Sequence, residues 1–451
     1  MIKMDIKTLN IPLPEDLLKL KWNGQFDLMT EMIDLRIQKD IPQQLKERLL
    51  LEKEIIKQLP KQFLYTQEEA IAICQEKLYD FTKEEFEQLF KESVFEFLFI
   101  NNVMKFKDDF FDNLIKTRPI YQNRLKQSLT NKENRDEIIQ EIMQKKDIKY
   151  KIHVKIAMKM KEEYEEIGNT IRVWLPIPIE YAQVEDVKII KTSSKNAIIN
   201  ENEVGQRSVY FEEKLQHDQE FSVEYEFINH IRYLELDEKQ VKECQMKEYL
   251  DECPPHIVFT PYLKQLVKDI VGDEQNSLLK AKKIYDYMTT HIPYSFVRSY
   301  ITLPCLSEYM ATGFKGDCGI YAVLFITLCR IAGIPASWQS GLYCTPTTIG
   351  NHDWARFYIE PYGWLFCDCS FGGSGFRNHS ELQRQFYFGH LDPYRIPSAQ
   401  KFQNELVPKK TFTRRDPYDH QTGEIEYIDR YIDEDEYDMY QEIIEVVSIE
   451  E

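Results

Sequence analysis

The spacing of apolar side chains divides the chain into stretches of two different periods. From Pro14 to about Asp147, Leu, Ile and Phe recur at every third or fourth position among Glu and Lys, as in Phe86, Leu89, Phe90, Val94, Phe97 and Leu98. That is the period of a helix with one apolar face. Thr82 followed by Glu85 has the form of a capping box ahead of it. The pattern predicts an all-helical accessory region over 1–148. At Tyr150 the period drops to two: Ile152, Val154, Ile156, Met158 and Met160 alternate with polar residues except at Ala157, as in a half-buried strand. Ile171 to Leu175, Val187 to Ile190, Ser208 to Phe211, and the alternating Phe221, Val223, Tyr225 and Phe227 follow between Asn- and Pro-bearing turns. Several short strands without long intervening helices predict a small β-sandwich over 149–236. After Leu236 the helical period returns in Thr260 to Val271 and Leu278 to His291, opening a third segment, 237–395, followed by an extension, 396–451.

Composition changes this picture in three places. A chain of 451 residues exceeds the size of one hydrophobic core, in keeping with several domains of α+β class. No apolar run reaches the roughly 18 residues of a membrane span, and Met1 to Leu13 lack the apolar run and small-residue cleavage site of a signal peptide. The expectation is a soluble cytoplasmic protein with no membrane partner. The nine cysteines are an odd number without paired zinc spacing, so reduced thiols and no metal or other cofactor are expected. The net charge of −18 is concentrated near the end, where twelve acids and one arginine occupy Gln421 to Glu451. That reads as a solvated acidic tail, and it argues against nucleic acid as a partner.

Candidate chemistry lies in the third segment. Gly316-Asp317-Cys318-Gly319 opens an apolar helix whose inner face would use Tyr321, Leu324, Phe325, Leu328 and Ile331, stopped by Gly333 and Pro335. A thiol in the first turn sits at the positive end of the helix dipole, which favours the nucleophilic thiolate. Asp317 reads as the helix cap. His352 precedes a strand-like run, Trp354 to Ile359; Glu360-Pro361-Tyr362-Gly363 is a turn, and a second strand, Trp364 to Cys369, contains Asp368. A hairpin loop of odd length puts His352 and Asp368 on one face; a two-residue loop puts them on opposite faces. Gly363 in a left-handed, bulged position would give the odd loop. Cys367 and Cys369 face away from Asp368 on such a strand, which disfavours a metal site with His352.

From about Leu278 to Gly373 the order and spacing of motifs resemble the transglutaminase-like superfamily. These are His291-Ile292-Pro293-Tyr294, Gly316-Asp317-Cys318-Gly319, Gly333-Ile334-Pro335-Ala336, Asn351-His352-Asp353-Trp354, and Gly363-Trp364-Leu365-Phe366-Cys367-Asp368. The resemblance implies a papain-like α+β core behind the sandwich and the helical region, with Cys318 as nucleophile, His352 as general base and Asp368 orienting the histidine. It implies a cysteine hydrolase or acyltransferase acting on a peptide or protein amide through a thioester. Hydrolysis is expected; the alternatives are a cross-linking transglutaminase or a non-catalytic binding module on the same fold. The backbone N–H of Cys318 is a natural oxyanion donor, and Gln339, with its neighbour Trp338, is a candidate for substrate or oxyanion contact. Two further stretches, Tyr387 to Pro393 and Arg414 to Asp419, resemble the continuation of bacterial members of this type without chemistry that can be assigned from sequence.

Overall fold

Helices form where the three-and-four spacing predicts them, among them Glu15–Trp22, Phe26–Ile37, Gln43–Gln62, Gln67–Lys77 and Lys83–Lys91. In this computed structural model residues 6–127, 135–414 and 416–449 are described. Met1, Arg415 and Glu451, which fall in segments read above, lie outside them. The complete capping box belongs to Thr66 and Glu69. At Thr82 only half of one forms: the hydroxyl accepts from Glu85 N–H at 3.2 Å, while the Glu85 carboxylate turns to Tyr121 Oη at 2.9 Å and to the Arg124 guanidinium.

The first region is not all-helical. The series Phe86 to Leu98 crosses a helix end, a turn and a strand. Ser93 takes φ 58°, and the chain continues through a three-stranded sheet of β1 (Phe63–Tyr65), β2 (Phe97–Ile100) and β3 (Val103–Lys107), ordered β1-β3-β2. Asn101 and Asn102, with φ 49° and 62°, make the tight left-handed turn that joins β2 to β3 and matches strand twist. Apolar spacing alone does not distinguish this from continued helix, because Phe86, Phe95 and Phe106 all serve one core. Phe86 stacks on Phe95 at 4.7 Å and meets Phe106 edge-on at 5.3 Å.

The chain divides into two units, residues 1–133, 252–258 and 291–320 in one and 134–251, 259–290 and 321–451 in the other. The first unit joins the N-terminal region to the segment that precedes Cys318. Buried Asn113 donates to Val94 O at 2.9 Å and Ser295 Oγ at 3.3 Å, and accepts from Phe296 N–H at 2.8 Å. Glu96 accepts from Arg298 N–H at 3.1 Å and pairs with its guanidinium.

In the second unit the strands are β4 (Asp147–Met160), β5 (Thr170–Pro176), β6 (Val184–Thr192), β7 (Ile198–Ile199), β8 (Ser208–Lys214) and β9 (Glu220–Arg232). An antiparallel sheet follows of β10 (Ala336–Cys344), β11 (Ile349–Ile359), β12 (Gly363–Cys367), β13 (Phe388–Gly389) and β14 (Arg395–Ala399), in the order β13-β12-β11-β10-β14. The acidic segment is structural. β15 (Glu424–Tyr427) completes the sheet β15-β5-β8-β7, and β16 (Tyr437–Ile449) completes the sheet β16-β4-β9-β6. Its acids act as acceptors: buried Glu424 takes Lys410 Nζ at 2.6 Å, and buried Glu426 takes Phe412 N–H at 3.0 Å. The two sheets enclose Ile152, Val154, Val173, Phe211, Val223 and Tyr225, all buried.

Asn113→Ala would leave Val94 O and Phe296 N–H buried without that partner. The expected cost is about 2 to 3 kcal/mol in urea denaturation of the full chain, with Ser295→Ala costing less because its contact is the longest of the three.

Candidate active site

In the first unit, Phe314 at φ 50° closes the helix Leu306–Gly313. The chain then runs alongside Tyr294 and Ser295: Tyr294 and Gly316 form a parallel bridge, and Ser295 N–H donates to Gly316 O at 2.9 Å. The sequence motifs around Tyr294 and Cys318 are thus neighbours through backbone bonds. Asp317 caps the next helix, accepting from Ile320 N–H at 3.3 Å on an oxygen that also receives the Tyr300 hydroxyl. Burial pushes the Asp317 carboxyl up to about 6 in spite of these two donors. Cys318 is the first residue of the helix Cys318–Ile331. From Ile320 to Ile326, and at Leu328 and Cys329, that helix is buried, so it is apolar all round rather than on one face. Cys318 itself is half-buried.

In the second unit, β11 carries His352 opposite Gly341 of β10. A Cβ on Gly341 would stand 1.9 Å from Ile396 O of β14, so glycine is required where β14 crosses. The hairpin loop between β11 and β12 is odd. Ile359 pairs with Gly363, leaving 360–362 as three loop residues, and Gly363 takes φ 79°. This register sends His352, Trp354 and Asp368 to one face. The second strand is shorter than expected: β12 ends at Cys367, and Asp368 is the N-cap of the helix Cys369–Arg377. The Cys367 and Cys369 sulfurs lie 3.6 Å apart as buried free thiols.

Asp368 therefore has two duties. Its Oδ1 accepts from Phe371 N–H and Ser370 Oγ, each at 2.9 Å. Its Oδ2 accepts His352 Nε2 at 2.7 Å and Arg395 Nη1 at 2.8 Å. Burial works to raise this carboxyl, but the charges of His352 and Arg395 and the donated hydrogen bonds outweigh it and hold it well below the usual carboxylate range. The Phe371 ring lies 4.5 Å from the imidazole, and Gln421 Nε2 donates to His352 O at 3.1 Å and Asp353 Oδ1 at 2.7 Å. Burial, with the charges of Asp416 and Asp353, pushes the Asp419 carboxyl well above its usual range. Gln421 thus braces the strand behind His352.

Of the two residues proposed for substrate or oxyanion contact, Gln339 is 1% exposed and its Oε1 accepts Trp354 Nε1 at 2.7 Å. It holds the tryptophan beside His352. Trp338 projects from the other face of β10, buried against Phe402 at 4.9 Å. Arg395, Asp392, Asp419 and Gln421 are the site residues that sequence reasoning missed. The one trace of the first two was Asp392-Pro393-Tyr394-Arg395, an acid and a base three apart in an apolar stretch.

Residues 264–369 match the family described as the transglutaminase-like superfamily. The chain carries a transglutaminase-like core. Among solved structures, a candidate cysteine protease from Cytophaga hutchinsonii is similar at 17% identity and TM-score 0.45, over 68% of this chain and 92% of that one. The periplasmic domain of TgpA from Pseudomonas aeruginosa is similar at 13% identity and TM-score 0.28, over 57% of this chain and 99% of that one. No curated protein matches the chain. The transglutaminase-like core lies within a mixed helix and sheet architecture, α+β as expected.

Asp368→Asn leaves the Arg395 guanidinium buried with one fewer charged partner, at an expected cost of about 3 kcal/mol. Because the Asp368 carboxyl is depressed in the folded chain, its contribution is complete above the ordinary carboxylate range and is lost as pH falls through the lower folded value. Urea midpoints measured at neutral and acid pH should therefore differ more between the two proteins at neutral pH than at acid pH.

Proposed function

We propose that this chain is a cysteine acyl-transfer enzyme that attacks a peptide or protein amide and hydrolyses it, with Cys318 as nucleophile, His352 as general base and Asp368 as the orienting carboxylate. The observation that carries the proposal is the 2.7 Å bond between His352 Nε2 and Asp368 Oδ2. It supports a mechanism in which Nε2 stays with the carboxylate and Nδ1 exchanges a proton with the thiol. Cys318 at the first position of a buried helix supports it from the other side, since the helix N-terminus favours a thiolate.

The steps follow from these groups. His352 Nδ1 takes the Cys318 proton, and the thiolate adds to the amide carbonyl carbon. The oxyanion is met by the Cys318 backbone N–H. The imidazolium then returns its proton to the departing nitrogen as the C–N bond breaks, leaving a thioester and a free amine. Water, deprotonated by His352, attacks the thioester; the C–S bond breaks, the acid leaves, and the thiol recovers its proton. A lysine amine in place of water would give a cross-link, but water at about 55 M is the default acceptor for an exposed thioester.

Incubating the full chain with a casein mixture and a primary-amine probe tests the proposal. The wild type should release peptide fragments or ammonia, and Cys318→Ala should abolish this. Asp368→Asn should lower turnover by on the order of 10³-fold or more while leaving Cys318 open to iodoacetamide. Undiminished activity in Cys318→Ala would remove the mechanism; amine incorporation with negligible hydrolysis would replace hydrolysis by transamidation.

A further inference from the structure

Arg395 has no solvent exposure, and a buried guanidinium is costly unless opposite charge and acceptors surround it. Nη1 donates to Asp368 Oδ2 and Nη2 to Asp392 Oδ2, both at 2.8 Å. The guanidinium carbon lies 4.5 Å from the Phe371 ring and 5.1 Å from that of Tyr343, so aromatic faces cover what the carboxylates leave. Asp392 is fixed in turn by Tyr387 Oη at 2.8 Å and Tyr394 N–H at 3.0 Å. When the imidazole is protonated, charges alternate along one line: His352, Asp368, Arg395, Asp392.

The two cations of that line share one oxygen. His352 and Arg395 both donate to Asp368 Oδ2, while Oδ1 is already taken by Phe371 N–H and Ser370 Oγ. A carboxylate alone beside an imidazole holds the imidazolium; a second cation on the same oxygen weakens that hold.

We infer that Arg395 is a positioning residue for the cysteine reaction, clamping the Asp368 carboxylate toward His352 and, by opposing its charge, keeping the imidazole able to give up its proton during turnover. This rests on the function proposed above. Asp392, within the Tyr387 to Pro393 stretch that the sequence left without chemistry, and Arg395 just beyond it thereby become part of the machinery. Other groups face the same pair: Arg135, whose guanidinium lies 4.1 Å over Phe371, the phenols of Tyr343, Tyr387 and Tyr394, and Asp353 on the opposite side of β11. They are common to all the variants below.

The experiment is the pH dependence of Cys318 alkylation by iodoacetamide in the full chain, read at the Cys318 peptide by mass spectrometry. Removing a buried positive charge favours every protonated form near it, so Arg395→Gln should move the midpoints of the profile to higher pH, by about 1 unit. Asp392→Asn keeps an acceptor for Tyr387 but removes a negative charge, so it should move them to lower pH. Arg395→Lys, which keeps the charge without the fork, should stay near the wild-type midpoints with slower alkylation. A packing role alone predicts altered melting temperature or rate without opposed midpoint shifts. Unchanged midpoints, or shifts of one sign in both neutralised variants, would overturn the inference. If Arg395→Gln does not fold, Asp392→Asn and Arg395→Lys carry the same test: a downward shift in the first and none in the second supports it, and any other pair overturns it. Wild-type Cys318 that alkylates no faster than the other exposed thiols would overturn the proposed function instead.

Discussion

A carboxylate with 1% exposure is the constraint around which the second unit is arranged. Asp368 is tolerable there only because every side of it is answered: a backbone N–H and a hydroxyl on one oxygen, an imidazole and a guanidinium on the other. Each partner comes from a different piece of architecture. The three-residue hairpin loop brings the histidine, the start of the helix Cys369–Arg377 supplies the N–H, and β14 carries the arginine in. Weakening any of them leaves a buried charge short of compensation, which is why a site of this kind is both rigid and exacting.

In the first unit the N-terminal region bears on the segment that leads into Cys318. Asn113 and Glu96 belong to the N-terminal region, yet their bonds go to Ser295, Phe296 and Arg298. Those residues adjoin the strand-like pairing with Gly316 that sets the start of the Cys318 helix. The route is a short relay: core aromatics fix a helix and a hairpin, these present Asn113 and Glu96, and those two hold the backbone on which the Cys318 segment rests.

What was legible in the sequence was whatever depends on neighbours in the chain. Period-two alternation located the long strands at Tyr150 and Phe221, helix-stop chemistry at Gly333 located the end of the Cys318 helix, and Gly363 gave the parity of the hairpin loop. What was not legible depends on pairing across distance. Phe97 fits a helical face as well as a strand until Asn101 and Asn102 are seen to turn it back on β3. Glu424 and Glu426 look like solvated charge until Lys410 and the N–H groups of Thr411 and Phe412 are found against them. Arg395 and Asp368 are 27 residues apart, and nothing in either one's local sequence announces the other. Gln339 is a further case: its carbonyl accepts from Trp354 on the neighbouring strand, a pairing that its own local sequence does not announce.

Proton exchange between Cys318 and His352 as one catalytic pair, as proposed, is tested most directly by bridging with 1,3-dibromoacetone. The reagent alkylates a reactive thiol first and then any nucleophilic nitrogen within reach of a three-carbon span. Peptide mass spectrometry of the wild-type chain should find a single bridged pair joining the Cys318 peptide to the His352 peptide, with His352→Ala giving only the mono-alkylated cysteine. Wild-type Cys318 that is alkylated but bridged to another residue, or to none, would contradict the account.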